Sequence, residues 1–195
     1  MNILFLTQIV PYPPDAGPKV KTWHVLRSLV QRGHQVTLIS FCREEEIAYL
    51  NHLEQLCDEV IPIHIKRSRI ADIAYWMKSQ FTGRPFLIER DDNMSMRMIV
   101  AETVSNKSID VIHADQLSMA QFAFKPKDQT SWPVTIFDAH NAVWTIVDRT
   151  KNSAPILLKP ALAIEAKRIR KHESQIVSNF DHILAVSDID KQALI

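Results

Sequence analysis

The first 41 residues contain two strand-like runs with one helix-like segment between them. The apolar run NILFLTQIV is followed by the loop PYPPDAGPK, the helix-like segment VKTWHVLRSLVQRGHQ and a second apolar run, VTLISF. Continuous apolar runs separated by about one helix are typical of buried parallel strands in a βαβ unit. The first 41 residues therefore predict an α/β fold. In such a fold ligands bind beyond the carboxyl ends of the strands.

The same alternation continues along the chain. Further strand-like runs are EVIPIHI, SIDVIHA, PVTIFDAH and DHILAV, with helical patterns between them. Pro62 has no N–H and predicts an edge position for the third strand. Ile47, Leu50, Leu53 and Leu56 share one stripe and predict a single helix before that strand. The sequence therefore predicts an α/β fold with a parallel sheet of six or more strands and helices on both faces.

Other helix boundaries follow from local signals. Two helices are expected between residues 69 and 105, separated by the turn-forming segment TGRPF. One long helix is expected from Pro155 to Asn179. Ser187 and Asp190 have the spacing of a capping box and predict the start of a last helix, DIDKQALI. The abrupt stop at Ile195 suggests a cut within a longer protein.

The loop after the first strand is the first candidate for ligand binding, because ligands of open α/β sheets bind beyond the carboxyl ends of the strands. The three glycines, Gly17, Gly33 and Gly83, lack the G-x-G-x-x-G spacing of a dinucleotide site. Gly17 is instead free to adopt a positive φ, and Lys19 and Lys21 lie at the start of a helix whose amides favour an anion. A phosphate or sugar phosphate fits this loop; a proline-stiffened connection with solvated lysines is the alternative.

Two further loops are expected to meet the first one at the point where the strand order reverses. They carry polar residues: His113, Asp115 and Gln116 after the fourth strand, and Asp138, His140 and Asn141 after the fifth. Such side chains offer matched donors and acceptors to a polyhydroxylated ligand. In the alternative interpretation Asp138 and Asn141 cap the following helix and His113 is packed between strand and helix. No run of three or four ligands at short spacing predicts a zinc site.

Composition excludes several classes of protein. A net charge of +1 argues against a dedicated nucleic-acid binder, and 46% hydrophobic residues in 195 are ample for a core. Cys42 and Cys57 lack a C-x-x-C pattern and are expected to be reduced thiols. The N-terminus lacks the basic region of a signal peptide, and no stretch approaches a membrane span. A cytoplasmic protein is expected.

Taken together, several segments resemble one enzyme family over essentially the whole chain. They are the P-x-P-P-D-x-G loop, the helix end L-x-x-R-G-H-x-V-T-L, the strand end D-x-H-N, and AIEAKRIRKHESQIVSNFDHILAVSDIDKQAL. In this order they are similar to the N-terminal domain of retaining glycosyltransferases of family 4, as found in bacterial polysaccharide and exosortase-associated gene clusters. The resemblance implies that residues 1–195 form one Rossmann-like, three-layer domain, the acceptor-side half of a GT-B fold.

The resemblance also implies roles for particular residues. The family's first loop, which approaches the donor phosphates and the acceptor, falls on Ala16 and Gly17, with Lys19 and Lys21 as its basic residues. Its sugar-facing histidine falls on His140, the implied catalytic residue. Acceptor or sugar binding is expected from a further set: Asp115, Gln116, Asp138 and Asn141. Ala16 replaces a second glycine that is frequent in the family.

The implied function is sugar transfer from a nucleotide diphosphate sugar to a glycan, lipid-linked or other acceptor, with no cofactor or metal. The C-terminal donor-binding domain is expected to be missing from this chain, which alone should be inactive. A stand-alone α/β binding module, or half of a GT-B-type sugar-nucleotide epimerase, is the alternative. The basic, partly apolar stretch from Lys151 to Lys171 also predicts peripheral contact with the inner face of the cell membrane. The alternative is that this stretch is an ordinary solvated helix.

Overall fold

The computed structural model describes residues 1–126 and 129–195, and the strands of these residues form one parallel sheet. The strand order is β3-β2-β1-β4-β5-β6. The strands are β1 (Asn2–Thr7), β2 (Gln35–Cys42), β3 (Glu59–His64), β4 (Val111–Asp115), β5 (Val134–Ala139) and β6 (His182–Ala185). This order is that of a doubly wound, Rossmann-like sheet, whose direction of winding reverses between β1 and β4. The predicted α/β fold class is confirmed.

Helices connect consecutive strands. They are α1 (Gly17–Gln31), α2 (Leu50–Glu54), α3 (Arg69–Thr82), α4 (Phe86–Asp91), α5 (Met94–Asn106), α6 (Leu117–Ala123), α7 (Val143–Ser153), α8 (Lys159–Asn179) and α9 (Asp188–Leu194). None of the helices in the described part of the chain is long and apolar enough to cross a membrane.

Three predicted helices differ in the structure. The helix expected over the Ile47 stripe is a 3₁₀ turn, Glu44–Tyr49, followed by the short α2. Glu46 rather than Ile47 is buried there, because its carboxylate accepts a hydrogen bond of 3.0 Å from the Arg43 amide. Three helices instead of two lie between residues 69 and 105, since Asn93 Oδ1 accepts from the Met96 amide and starts a new one. The long helix begins at Lys159 rather than Pro155.

The two faces of the sheet are covered by separate apolar cores. Leu4 and Leu6 belong to the core that contains buried residues of α4, α5, α6 and α8. Ile3 and Phe5, the alternate residues of the same strand, belong to a second core with residues of α1 and α2. Alternation along β1 therefore supplies both faces, which produces the three layers.

The two outer strands of the sheet are β3 and β6. Pro62 lies within β3, so the predicted edge position of that strand is confirmed. Beside β6 runs a groove of about 690 Å³ whose apolar lining includes Val177, Ile183 and Leu194. Leu184 and Val186 are about half exposed at this edge.

The predicted cap of α9 is present, with Ser187 Oγ accepting from the Asp190 amide at 3.1 Å.

Candidate functional site

The candidate site lies at the carboxyl ends of β1, β4 and β5, where the winding of the sheet reverses. Thr7 is paired in register with Asp115, and Asp115 is paired with Asp138, so three polar residues lie side by side across neighbouring strands. All three are buried. Parallel strands place their carboxyl ends at one edge, which is why residues over 100 positions apart in the chain converge here.

Asp115 is the fully buried centre of this cluster. One of its oxygens, Oδ2, lies 2.8 Å from Thr22 Oγ1 and 3.3 Å from Thr7 Oγ1. The other oxygen, Oδ1, lies 2.8 Å from His140 Nε2. Because a carboxylate only accepts hydrogen bonds, the Nε2 atom carries the proton, and the lone pair of the neutral ring is on Nδ1. His140, whose side chain is 12% exposed, can therefore accept a hydrogen bond from a ligand hydroxyl.

Asp138 is the second buried carboxylate of the cluster. The Lys21 ammonium, which reaches in from α1, forms an ion pair with its Oδ1, and His113 Nε2 lies 3.4 Å from its Oδ2. Burial alone raises the pKa of Asp138, but hydrogen bonds and charges from His113 and Lys21 outweigh it and lower the pKa. Asp138 is therefore a carboxylate at neutral pH. His113 is also buried and stacks on Phe5 of the neighbouring strand with ring centroids 4.5 Å apart, so it has a packing role as well.

Gln116 connects β4 to α6 in an unusual backbone conformation, with φ of 74°. Its amide donates to the carbonyl oxygen of Asp138 at 3.1 Å, which holds the ends of β4 and β5 together. Its side-chain nitrogen is buried without a hydrogen-bond partner among the described residues. A positive φ in a residue other than glycine is sparsely populated and is enriched at functional sites.

The first loop contributes less than predicted. Gly17 is the first residue of α1 and does not use the positive φ open to a glycine, because a helical start needs an ordinary negative φ. Ala16 precedes it in an extended, exposed conformation. Lys19 Nζ lies 3.6 Å from Asp15 and 4.0 Å from Glu46, so it is neutralised outside the cluster. Among the predicted loop residues, only Lys21 joins the buried carboxylates.

The N-terminus of α7 is not capped by Asp138 or Asn141, contrary to the alternative considered from the sequence. Glu173 of α8 accepts from the Val143 amide at 2.7 Å and from the Trp144 amide at 3.2 Å. Burial raises the pKa of Glu173 to about 7 although both amides lower it. Asn141 is exposed and makes no hydrogen bond with the described residues.

Other residues of α8 tie this helix to α3 and α4. Arg168 lies 3.2 Å from Ser79 Oγ and 4.0 Å from Glu165, and Glu165 accepts from the Phe86 amide at 2.7 Å. Glu165 and Arg168, three residues apart on α8, therefore form only a long ion pair. His172 on the same helix is partly buried, and this burial together with the charge of Arg84 lowers its pKa to about 4.

Ligand atoms of His113, Asp115 and Asp138 lie within 4.8 Å of one another, close enough to hold a metal ion. The sequence predicts these three residues at one crevice but gives no metal-ligand spacing, because they lie on two adjacent strands rather than within one segment. The Lys21 ammonium already supplies a positive charge to Asp138, and donors from Thr22 and His140 surround Asp115. The prediction that no metal is used stays a prediction.

Thr7 and Thr22 are cluster residues that the sequence analysis did not identify. The available signal was topological, because Thr7 ends the central strand and Thr22 lies on the first helix one residue beyond Lys21. Both hydroxyls contact Asp115. They contact Oδ2 of Asp115, whereas His140 contacts Oδ1.

The geometry defines a doubly wound α/β domain with a charged, hydroxyl-lined crevice at its switch point. No protein-family model matches this sequence, and no curated protein matches it either. The function is therefore argued from the site itself.

Proposed function

We propose that this chain is the acceptor-binding, N-terminal domain of a retaining glycosyltransferase of the family 4 type, which uses a nucleotide sugar as donor. The observation that carries the proposal is the Asp115–His140 pair beside the Lys21–Asp138 ion pair in the crevice between β1 and β4. An oriented imidazole suits a sugar hydroxyl, and a partly exposed ammonium nearby suits an anionic group. Neither feature resembles a dinucleotide site, for which the chain lacks the glycine pattern.

In this proposal His140 Nδ1 accepts a hydrogen bond from the acceptor hydroxyl, and Asp115 fixes the orientation of the ring. The hydroxyl oxygen bonds to the anomeric carbon as the bond from that carbon to the diphosphate breaks on the same face of the sugar. The hydroxyl proton passes to the departing diphosphate. A second domain holds the donor, and basic side chains and helix dipoles compensate its charge. The protein acts by positioning and by charge stabilisation.

The test is His140→Ala in the enzyme that carries this domain. Turnover should fall about 10²-fold or more, the scale expected for one oriented polar group, while the unfolding temperature changes little. The assay follows nucleoside diphosphate release from a panel of nucleotide sugars in the presence of a cell-envelope extract as acceptor. His24→Ala, an exposed histidine on α1, is the matched control. Activity within a few-fold of wild type, or a collapse in stability, would show that His140 is not catalytic.

The 195-residue chain alone should fold but not transfer sugar, because the proposal assigns donor binding to another domain. Nucleotide sugars should then bind in the millimolar range or weaker, about 4 kcal/mol. Micromolar donor binding or turnover by this chain would refute the half-enzyme assignment. Acceptor-independent interconversion of sugar nucleotides by the longer protein would identify an epimerase, and no sugar chemistry in any context would favour a binding module.

We also propose peripheral contact with the cytoplasmic membrane surface. The segment expected to make it has strongly exposed apolar residues, Leu157 at 88% and Leu158 at 53%. Helix α3 adds a second exposed apolar face formed by four residues, Ile70, Ile73, Trp76 and Phe81. Apolar helix faces next to basic residues are typical of helices that lie in the membrane interface.

A further inference from the structure

A second polar cleft lies at the same edge of the sheet, beyond β2 and β3. It has a volume of about 340 Å³ and is lined by three arginines, Arg43, Arg67 and Arg90, together with Gln8 and Asp72. We call it the arginine pocket. The volume lies at the lower end of the range for small-molecule sites and fits a small anionic group.

Two of the arginines are held in place by one buried carboxylate. Asp91 is 1% exposed and lies 2.6 Å from Arg67 Nη2 and 3.1 Å from Arg90 Nε. Gln8 donates to the same carboxylate at 2.6 Å. The Arg67 and Arg90 guanidinium groups also lie over the rings of Phe41 and Phe86, 6.0 and 5.7 Å from the centroids. Both groups are therefore preorganised before any ligand binds.

The charge of the arginine pocket favours an anion. Asp91 neutralises only one of the two guanidinium groups that it orients. Arg43 is half exposed and forms a long ion pair of 3.8 Å with the exposed Glu45, which solvent screens. Asp72 is the one carboxylate among the described lining residues. The lining itself therefore presents three guanidinium groups against one carboxylate.

The donors of the arginine pocket point to the kind of anion. A guanidinium has five N–H groups, and Arg67 and Arg90 each use two nitrogen atoms in the contacts to Asp91 and the backbone. Each guanidinium therefore keeps further N–H donors, and guanidinium donors match the oxygens of a phosphoryl group. Three guanidinium groups around a small cleft suit the several oxygens of a phosphate.

The arginine pocket adjoins the His140 cluster through the loop after β1. Thr7 Oγ1 contacts Asp115 of the cluster and lies 3.1 Å from the Ile9 carbonyl, while the next residue, Gln8, contacts Asp91 of the pocket. A single short loop thus separates the imidazole from the arginines. The two sites therefore lie at neighbouring strand ends, with the loop after β1 between them.

We propose that the arginine pocket binds a phosphoryl group carried by the acceptor. The role as an acceptor subsite rests on the proposed function, whereas phosphate binding itself does not. The acceptor is then a phosphorylated molecule whose hydroxyl faces His140, and the arginines set its orientation.

The test is a titration of the 195-residue chain with inorganic phosphate at low ionic strength, followed by NMR of the arginine side-chain Nε–H signals. The Arg67 and Arg90 signals should shift and saturate in the millimolar range. Arg43→Gln should raise the dissociation constant about fivefold, as expected for a partly exposed charge. Arg43 holds no buried partner, so this variant should keep the fold. Arg32→Gln, which removes the same charge at the opposite edge of the sheet, should leave binding unchanged.

A second titration with dihexanoyl phosphatidic acid, a short-chain lipid phosphate, distinguishes the source of the group. Equal dissociation constants would assign the site to any phosphate, and tighter binding of the lipid would assign it to a lipid-linked one. The proposal is overturned if phosphate moves no pocket signal, or if Arg32→Gln weakens binding as much as Arg43→Gln. Phosphate binding without any sugar transfer by the longer protein would refute the transferase assignment and leave the pocket intact.

Discussion

Two neighbouring residues of α8, His172 and Glu173, respond to pH in opposite directions. Burial raises the pKa of Glu173 to about 7, above its usual 4.5, so the stability that this group contributes is present below pH 4.5 and is lost as the pH rises through 7. Burial and the Arg84 charge lower the pKa of His172 to about 4, below its usual 6.5. Its contribution is present above pH 6.5 and is lost as the pH falls through 4.

The two windows overlap between pH 4.5 and pH 6.5. Each group there changes the free energy of unfolding by ~1.4 kcal/mol per pH unit, hence by ~3 kcal/mol over the overlap, with opposite signs. In the wild-type chain the two contributions cancel. Glu173→Gln leaves the histidine uncompensated, and this variant should lose ~3 kcal/mol as the pH falls from 6.5 to 4.5. His172→Phe should gain about the same amount over that range.

The assay is urea unfolding of the three proteins at closely spaced pH values across this window. All other titrating groups are common to the three chains, so their effects cancel when each variant is compared with wild type. Glu173→Gln should also lose a constant amount, because the side-chain nitrogen of glutamine cannot accept from a backbone amide, whereas both carboxyl oxygens of Glu173 do. Profiles of both variants that run parallel to wild type would refute the argument, since neither residue would then titrate as its burial requires.

Other predictions concern the surface and the first loop. Gly17→Ala should raise the stability by about 0.4–1 kcal/mol, because its φ is ordinary and a Cβ meets nothing within 4 Å. Gly83→Ala, at a φ of 69°, should instead lose about 1 kcal/mol in the same thermal denaturation experiment; equal effects of the two would contradict this. The chain should sediment together with anionic vesicles. Trp76→Ser should reduce the bound fraction more than the control Met98→Ser on α5. Equal partitioning onto neutral and anionic vesicles would exclude the membrane contact.

The strands were predictable because a buried parallel strand is a local signal. β1 carries apolar side chains to both faces, and the unbroken run from Ile3 to Leu6 shows this without any knowledge of partners. Pro62 marked an edge for an equally local reason. The helices after β2 and β3 were less predictable, because the hydrogen bonds made by Glu46 and Asn93 decide where each turn begins. Apolar periodicity does not report such bonds.

The site was predictable only as far as strand ends determine it. Asp115, Asp138 and His140 follow from the positions of β4 and β5, and Lys21 from the start of α1. Asp115 contacts the His140 imidazole and Asp138 contacts the Lys21 ammonium. This choice of partners depends on contacts between distant segments, which spacing along the chain does not predict. The cap of α7 shows the same limit, since Glu173 lies 30 residues beyond Val143 in the sequence.

The two outer strands of the sheet differ in whether they can accept another strand. In β3, Pro62 has no N–H to donate to an added strand, which prevents continuous strand pairing along the outer side of β3. β6 has no such obstacle, and an apolar groove with Leu184 and Val186 exposed runs along it. Growth of the sheet by addition of a strand is therefore one-sided. Self-association of the purified chain at high concentration should accordingly produce pairs joined at β6, with β3 left facing solvent.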